Sequence, residues 1–298
     1  MSVKYRRVGL IGKYSDPVSG AALPSTRQNL LAVSQLLVEL GCEVILEQQS
    51  AANTGVSGFR VMTTEELGQY CDVAVVIGGD GTMLGAARVL AAYDLPLIGI
   101  NQGRLGFITD IELNNFHTPL TNMIRGAVEE DRRSLIHGSL FRGGACLFDA
   151  VALNDVVVTR GSTSAMVELR VEIDGHFVAN HRADGFIIAT PTGASAYSLS
   201  AGGPLIHPSV AGWALVPIAP HNLSNRPIVL ADTGEIQLEI VAAREASASF
   251  DMQAITALQV GDRITARRSA HQAIFLHEAG WNYFDVLRRK LHWNARNG

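Results

Sequence analysis

Asp80 stands inside a glycine turn, Gly78-Gly79-Asp80-Gly81-Thr82, directly after the apolar run of residues 73–77. Glycines permit positive φ and close backbone approach, and Thr82 is placed to cap a helix starting near Met83. Free N–H groups and a helix dipole then converge on one point, which favours anions. A carboxylate 4 Å from a phosphate charge would repel it by about 4 kcal/mol at an effective dielectric near 20, so a passive binding loop would avoid one. Asp80 makes sense if it accepts a proton from an attacking hydroxyl, or if it neighbours a metal ion that neutralises phosphates. That chemistry is phosphoryl transfer. The competing reading is an Asp that simply caps a helix in a tight turn.

The elements that must position this turn follow from the hydrophobic pattern. Residues 8–11, 43–46, 73–77 and 97–100 read as short buried strands, alternating with helices over 26–40, 64–70 and 83–93, with 50–59 as a loop. This alternation predicts a doubly wound α/β domain with a parallel sheet and ligands at the strand carboxyl ends. A polar helix over 119–129 closes it. From residue 133 the texture changes to short runs of period two, such as Val167-Glu168-Leu169-Arg170-Val171-Glu172-Ile173 before Asp174-Gly175, which predicts a hairpin and a mostly antiparallel β domain. A final helix over 284–291 is expected to return to the first domain. The division is therefore 1–130 with 281–298 for the α/β nucleotide-binding domain, and 131–280 for the β-rich domain.

Composition excludes several classes of function. The chain has 298 residues, 47% hydrophobic, with 24 Lys and Arg against 28 Asp and Glu for a formal charge of -4. No basic block points to nucleic acid or to an anionic membrane, and neither is expected as a partner. Cys42, Cys71 and Cys146 show no metal or disulfide spacing. No apolar stretch reaches membrane-spanning length, and the apolar start at residues 8–12 is too short for a signal peptide, so a cytoplasmic protein is expected.

Three further segments carry candidate site residues: Asn101-Gln102-Gly103-Arg104-Leu105-Gly106-Phe107, Ala152-Leu153-Asn154-Asp155-Val156, and DGFIIATPTGASAYSLSAGGP from Asp184 to Pro204. With the glycine turn, in this order, they resemble the NAD kinase family over nearly the whole chain. The resemblance implies ATP-dependent phosphorylation of the adenosine-ribose 2′-hydroxyl of NAD, with a divalent metal, magnesium or manganese. It also implies homo-oligomers, commonly tetramers. Asp80 matches the family's proton acceptor and Gly81 its phosphate-side neighbour. Phe107 matches an aromatic near the adenine, and Asn154 and Asp155 the pair that holds the adenosine end. Arg182 and Asp184 match residues near the nicotinamide half. Ser195, Ala196, Tyr197, Ser198, Leu199 and Ser200 match a substrate-binding turn, and Gln253 is a further match. The family often has Glu at position 155 and Ser-Thr at 194–195, where this chain has Asp and Ala-Ser.

The residues have chemical readings of their own. Asn154 offers donor and acceptor and Asp155 two acceptors, suited to an adenine amino edge or ribose hydroxyls, although Asn-Asp between β runs is also a common turn. Phe107 by itself reads equally as core. Ser195 fails as a hydrolase nucleophile because Tyr197 replaces the Gly of the elbow motif, and Lys13-Tyr14 lacks the Ser or Thr of a Walker turn. A lipid or sugar kinase sharing the GGDG turn, and a dinucleotide sensor without turnover, are the alternative functions. Retention of Asp80 speaks against the sensor, since a pure binder would gain by losing that charge.

Overall fold

A computed structural model of the chain describes residues 3–12, 24–103, 106–162 and 165–293. Lys13, Tyr14, Arg104, Leu105 and the residues beyond 293 lie outside the described residues. The chain divides into two units, 1–132 with 273–298, and 133–272.

Runs of apolar residues too short to alternate make strands covered on both faces, and the first unit is built from them. Its elements are β1 (Arg7–Gly12), α1 (Pro24–Glu39), β2 (Glu43–Glu47), α2 (Gln48–Thr54), β3 (Arg60–Met62), α3 (Thr64–Tyr70), β4 (Val73–Gly78), α4 (Asp80–Leu90), β5 (Leu97–Asn101), β6 (Ile111–Glu112) and α5 (His117–Ile124). The strands pair in parallel in the order β3-β2-β1-β4-β5, so the strand order reverses between β1 and β4. Val8, Leu10, Val73, Val75 and Ile77 form the core with Leu30, Val33 and Leu37 of α1.

Two local expectations change. Residues 48–54 form α2 rather than a loop, because Glu47 caps the Gln49 and Ser50 N–H groups at 2.8 and 2.7 Å. Ser50 also accepts the Gly12 N–H at 3.0 Å, a long-range contact invisible to local pattern. Helix α5 stops at Ile124, closed by Gly126 at φ 100, and the chain is extended again from Val128.

The second unit is antiparallel. Its strands are β7 (Val128–Arg142), which begins in the first unit, β8 (Ala145–Ala152), β9 (Asp155–Arg160), β10 (Val167–Ile173), β11 (His176–Ala183) and β12 (Gly185–Ala189). After the short helix α6 (Tyr197–Ser200) follow β13 (Gly212–Ile218), β14 (Ile228–Ala231), β15 (Ile236–Ala242), β16 (Ala246–Phe250), β17 (Ala254–Leu258) and β18 (Arg263–Glu278). One sheet runs β14-β13-β12-β9-β16-β17, and another contains β11-β10-β15-β18. Val156, Phe186 and Trp213 of the former share a core with Leu169, Val171 and Leu238 of the latter. The hairpin expected at Asp174-Gly175 is present, with φ 50 and 76 at these residues, as a two-residue primed turn requires.

The end of β18 belongs to the first unit, since Phe275 pairs with Leu97 of β5. The unit boundary therefore falls at 273, ahead of the expected 281. The last helix, α7 (Tyr283–Leu291), is capped by Asn282, which accepts the Phe284 N–H at 2.8 Å, and is also in the first unit. No described helix is long and apolar enough to cross a membrane. Burial pushes the Cys71 thiol up to about 12, so it is no nucleophile.

In the second unit Arg142 grips Asp262 through two hydrogen bonds of 2.7 and 2.8 Å, and the Gln259 N–H adds a third at 2.7 Å. The Asp262 side chain is 1% exposed, and these donors, Arg142 foremost, hold its carboxyl below the usual range. A depressed folded pKa gives stability that is complete above the unfolded value near 4 and disappears as pH falls through the folded one. Asp262→Asn is expected to lower the unfolding free energy at neutral pH by about 1.5–3 kcal/mol. The difference from the parent should shrink toward low pH, as read by urea denaturation. A constant difference would assign the loss to shape instead of charge.

Candidate active site

Strand β4 is buried throughout and brings Gly78 to its carboxyl end, at the point where the strand order reverses. Open α/β sheets bind ligands there. Helix α4 begins at Asp80, with Gly79 as its cap residue and no capping side chain. Thr82 therefore does not cap the helix as expected; it lies within the first turn, packed over Gly78. A Cβ at Gly78 would sit 2.5 Å from the Thr82 hydroxyl. The turn also reaches its shape without positive φ at Gly78, Gly79 or Gly81. What Gly79 and Gly81 provide is space, since among the described residues a Cβ at either would meet no atom within 4 Å.

The Asp80 side chain does not cap its own helix. Oδ2 accepts the Phe107 N–H at 2.8 Å, while Oδ1 accepts the Ile108 N–H at 3.3 Å and the Thr109 hydroxyl at 3.0 Å. Thr109 accepts in turn from Asn101 Nδ2 at 2.8 Å, and Asn101 Oδ1 accepts the Gly103 N–H at 2.6 Å. Asn101 ends β5 opposite Gly78 of β4, so sheet register delivers both halves of this network. Gly106 has to be glycine, because a Cβ there would run into Asp80 Oδ1 and the Thr109 hydroxyl. Phe107 is half-buried, with Lys290 Nζ 5.5 Å from its ring centroid. Thr109 escaped sequence reasoning, its only signal being its position just past the 101–107 motif.

In the second unit, Asn154 and Asp155 lie at the start of β9, where Asp155 pairs with Ala189 of β12. The Asp251 carboxylate accepts three successive N–H groups, from Leu153 at 2.8 Å, Asn154 at 2.7 Å and Asp155 at 3.1 Å. Thr190 donates its N–H to the Asn154 carbonyl at 2.8 Å and its hydroxyl to the Leu153 carbonyl at 2.5 Å. Gly193 lies so close that a Cβ there would run into the Asn154 carbonyl. Burial, and next the charge of Asp251, push the Asp155 carboxyl up to about 7. Sequence reasoning assigned no role to Asp251, since nothing local marks a residue bonded across 96 positions.

The other expected residues fall in varied settings. Asp184 accepts from Arg160 Nε at 2.7 Å, so its charge is already balanced. Arg182 is exposed on β11, 3.6 Å from Glu168. In the turn, Ser195 donates to the Thr192 carbonyl at 3.0 Å, Ala196 and Leu199 are half-buried, and Ser200 is exposed. Ser198 is fully buried, its side chain facing the Gly203 backbone. Tyr197, 39% exposed, lines a cleft of about 280 Å³ with Thr159, Ser247, Ser249, Met252 and Ile255. The structure thereby brings Tyr197 to the 251–253 turn. Gln253 itself is exposed and donates its N–H to the Phe250 carbonyl at 3.0 Å.

Comparison with known proteins bears on these sites. Residues 22–128 match the family model of the ATP-NAD kinase N-terminal domain, and residues 153–278 that of the C-terminal domain. The NAD kinase of a Polaromonas species is 58% identical over 294 residues, and that of Paracidovorax citrulli 56% over 294, each alignment covering 99% of both chains. Among solved structures, an NAD kinase from Archaeoglobus fulgidus in complex with ATP matches with a TM-score of 0.71 and 27% identity, covering 96% of this chain and 97% of that one. Yeast NADH kinase complexed with NADH shares the fold, with a TM-score of 0.85 at 23% identity, over 98% of this chain and 89% of that one. With both domains matched and relatives of this identity spanning almost its full length, the chain belongs to the NAD kinase family.

Proposed function

We propose that the chain transfers the γ-phosphoryl group of ATP to the 2′-hydroxyl of the adenosine ribose of NAD, making NADP, with Asp80 as the proton acceptor. The observation that carries this reading is the setting of Asp80. Its carboxylate is fixed in a turn of glycines that carry no side chains, and among the described residues Oδ2 accepts only the Phe107 N–H. A carboxylate oxygen accepts two hydrogen bonds, so Oδ2 keeps a lone pair for a substrate hydroxyl. As the ribose oxygen bonds to the γ-phosphorus, its proton passes to Asp80, the bond to the leaving oxygen breaks and ADP departs. Asn154 and Asp155 hold the adenosine end of NAD, with Gln253 and the turn from Ser195 to Ser200 beside them. Arg182 and Asp184 serve the nicotinamide half.

The divalent cation fits this chain as a companion of the nucleotide. Among the described residues no three His, Cys, Asp or Glu side chains stand together as a ligand set. Magnesium commonly keeps several waters and takes one or two carboxylates with substrate phosphates, and Asp80 is the carboxylate of the phosphate turn. When bound, the ion neutralises phosphate charge.

Incubating the protein with NAD, ATP and magnesium should yield NADP; a folded protein that makes none would overturn the reading. Asp80→Asn keeps size and loses the proton acceptor, and turnover should drop by about 10²–10⁴-fold with NAD binding preserved. Near-native turnover of that variant would end the proton-acceptor role. Excess EDTA should abolish activity and added magnesium restore it, while undiminished turnover in metal-free buffer would remove the ion from the mechanism. Gly106→Ala displaces the Asp80 carboxylate, and a loss of about 10²-fold in kcat is expected with an unchanged circular dichroism spectrum. Full activity would show that the 106–109 loop does not set the position of Asp80.

A further inference from the structure

The Asn154-Asp155 segment is held by its main chain in a way that frees its side chains. Its three N–H groups, from Leu153, Asn154 and Asp155, all go to the Asp251 carboxylate. The carbonyls of Leu153 and Asn154 go to Thr190, and that of Asp155 accepts the Asp251 N–H at 3.0 Å. Two residues distant in sequence thus satisfy every main-chain polar group of the segment, and neither draws on the Asn154 or Asp155 side chain.

Asp251 is buried, and its backbone is in the left-handed region, φ 53, as is that of Met252, φ 56. These are the two central residues of a primed turn over 250–253, closed by the Gln253 N–H on the Phe250 carbonyl, within the three-residue loop that joins β16 to β17. Glycine or Asn suits such a turn better than Met, so the conformation is imposed by the surroundings. The turn aims the Asp251 carboxylate back at the start of β9. A side chain at ordinary negative φ would leave it on another course.

We propose that Asp251 is a positioning residue for the acceptor dinucleotide: by clamping three successive N–H groups it fixes Asn154 and Asp155 in the geometry that receives the adenosine end. The proposal rests on the NAD kinase reading above. Asp251 touches no substrate in this scheme and acts only through the segment it holds. Its charge has a second effect. Asp155 is buried beside it and titrates near 7, raised by burial first and by Asp251 second. Arg133, also buried in this unit, donates to the Thr192 hydroxyl at 3.2 Å. Below that pH Asp155 gains a proton and loses acceptor capacity, so NAD binding weakens as the medium becomes acidic.

The test is steady-state kinetics of the full chain from pH 6 to 8.5, varying NAD at saturating magnesium-ATP and the converse, for wild type, Asp251→Asn and Asp251→Glu. In Asp251→Asn the KM for NAD should rise about ten-fold, with kcat and the KM for ATP within about two-fold of wild type. The break in kcat/KM for NAD should also move to lower pH, because the repelling charge is gone; a merely structural role would leave it in place. Asp251→Glu keeps the charge, so its break should stay near that of wild type while its KM for NAD is raised. An unchanged KM for NAD in Asp251→Asn, equal rises toward both nucleotides, or a stationary break would overturn the proposal. If circular dichroism shows Asp251→Asn unfolded, Asp251→Glu decides. A raised KM for NAD alone supports the clamp, and a wild-type KM overturns it. Absence of NADP from the wild-type reaction would instead refute the NAD kinase reading.

Discussion

For the role proposed for it Asp80 has to be held, because free rotation would carry its carboxylate away from a substrate hydroxyl. In this chain the holding is done by main-chain N–H groups and one hydroxyl from residues 107–109, which together fill most of the acceptor capacity of Asp80. The arrangement depends on β4 and β5 ending level, so that Gly78 and Asn101 are paired and the loop after β5 can fold back over the turn after β4. It depends equally on Gly106, where any side chain would occupy the place of the carboxylate.

The same device recurs through the molecule. Glu47 accepts the N–H groups of Gln49 and Ser50, Asp72 those of Arg6 and Arg7, and Asp251 those of Leu153, Asn154 and Asp155. Each carboxylate sits where a strand starts or stops and the ladder no longer satisfies the backbone. A buried N–H without a partner costs about 1–3 kcal/mol, and an ionised acceptor makes the stronger bond. These three of the 28 acidic residues are thus structural. The two proposed functional carboxylates differ from the rest in what they retain: Asp80 an open lone pair on Oδ2, and Asp155 a side chain not needed by its own backbone.

Burial of Asp155 and the charge of its neighbour shape its chemistry together. Removing a carboxylate from water disfavours its ionised form, and a second negative charge nearby does so again. Burial is the larger cause, and the second follows from the segment being clamped by an acid. Thr190, a neutral residue, clamps the carbonyl side without electrostatic consequence. Asp251 therefore contributes both to the geometry and to the titration of this segment.

Much was readable from sequence, for identifiable reasons. Residues 73–77 read as a buried parallel strand because an unbroken apolar run of that length has few other fates, and Asp174-Gly175 announced a hairpin because few residues tolerate positive φ at both turn positions. The glycine turn around Asp80 and the 184–204 run were distinctive enough to carry the family and its chemistry. Local pattern failed wherever a distant residue decided the outcome. Ser50 of helix α2 bonds Gly12 across the first unit, and the end of β18 joins the first unit because Phe275 meets Leu97. Asp251 was invisible for the same reason, since an acid in a hairpin turn looks ordinary until the fold sets it against the main chain of Asn154. Residue identity determined which chemistry was possible, through the glycines, the amide and the carboxylates. Only the tertiary structure decided which carboxylates stay open to a substrate and which are consumed by the backbone, because hydrogen-bond partners are assigned by proximity in space.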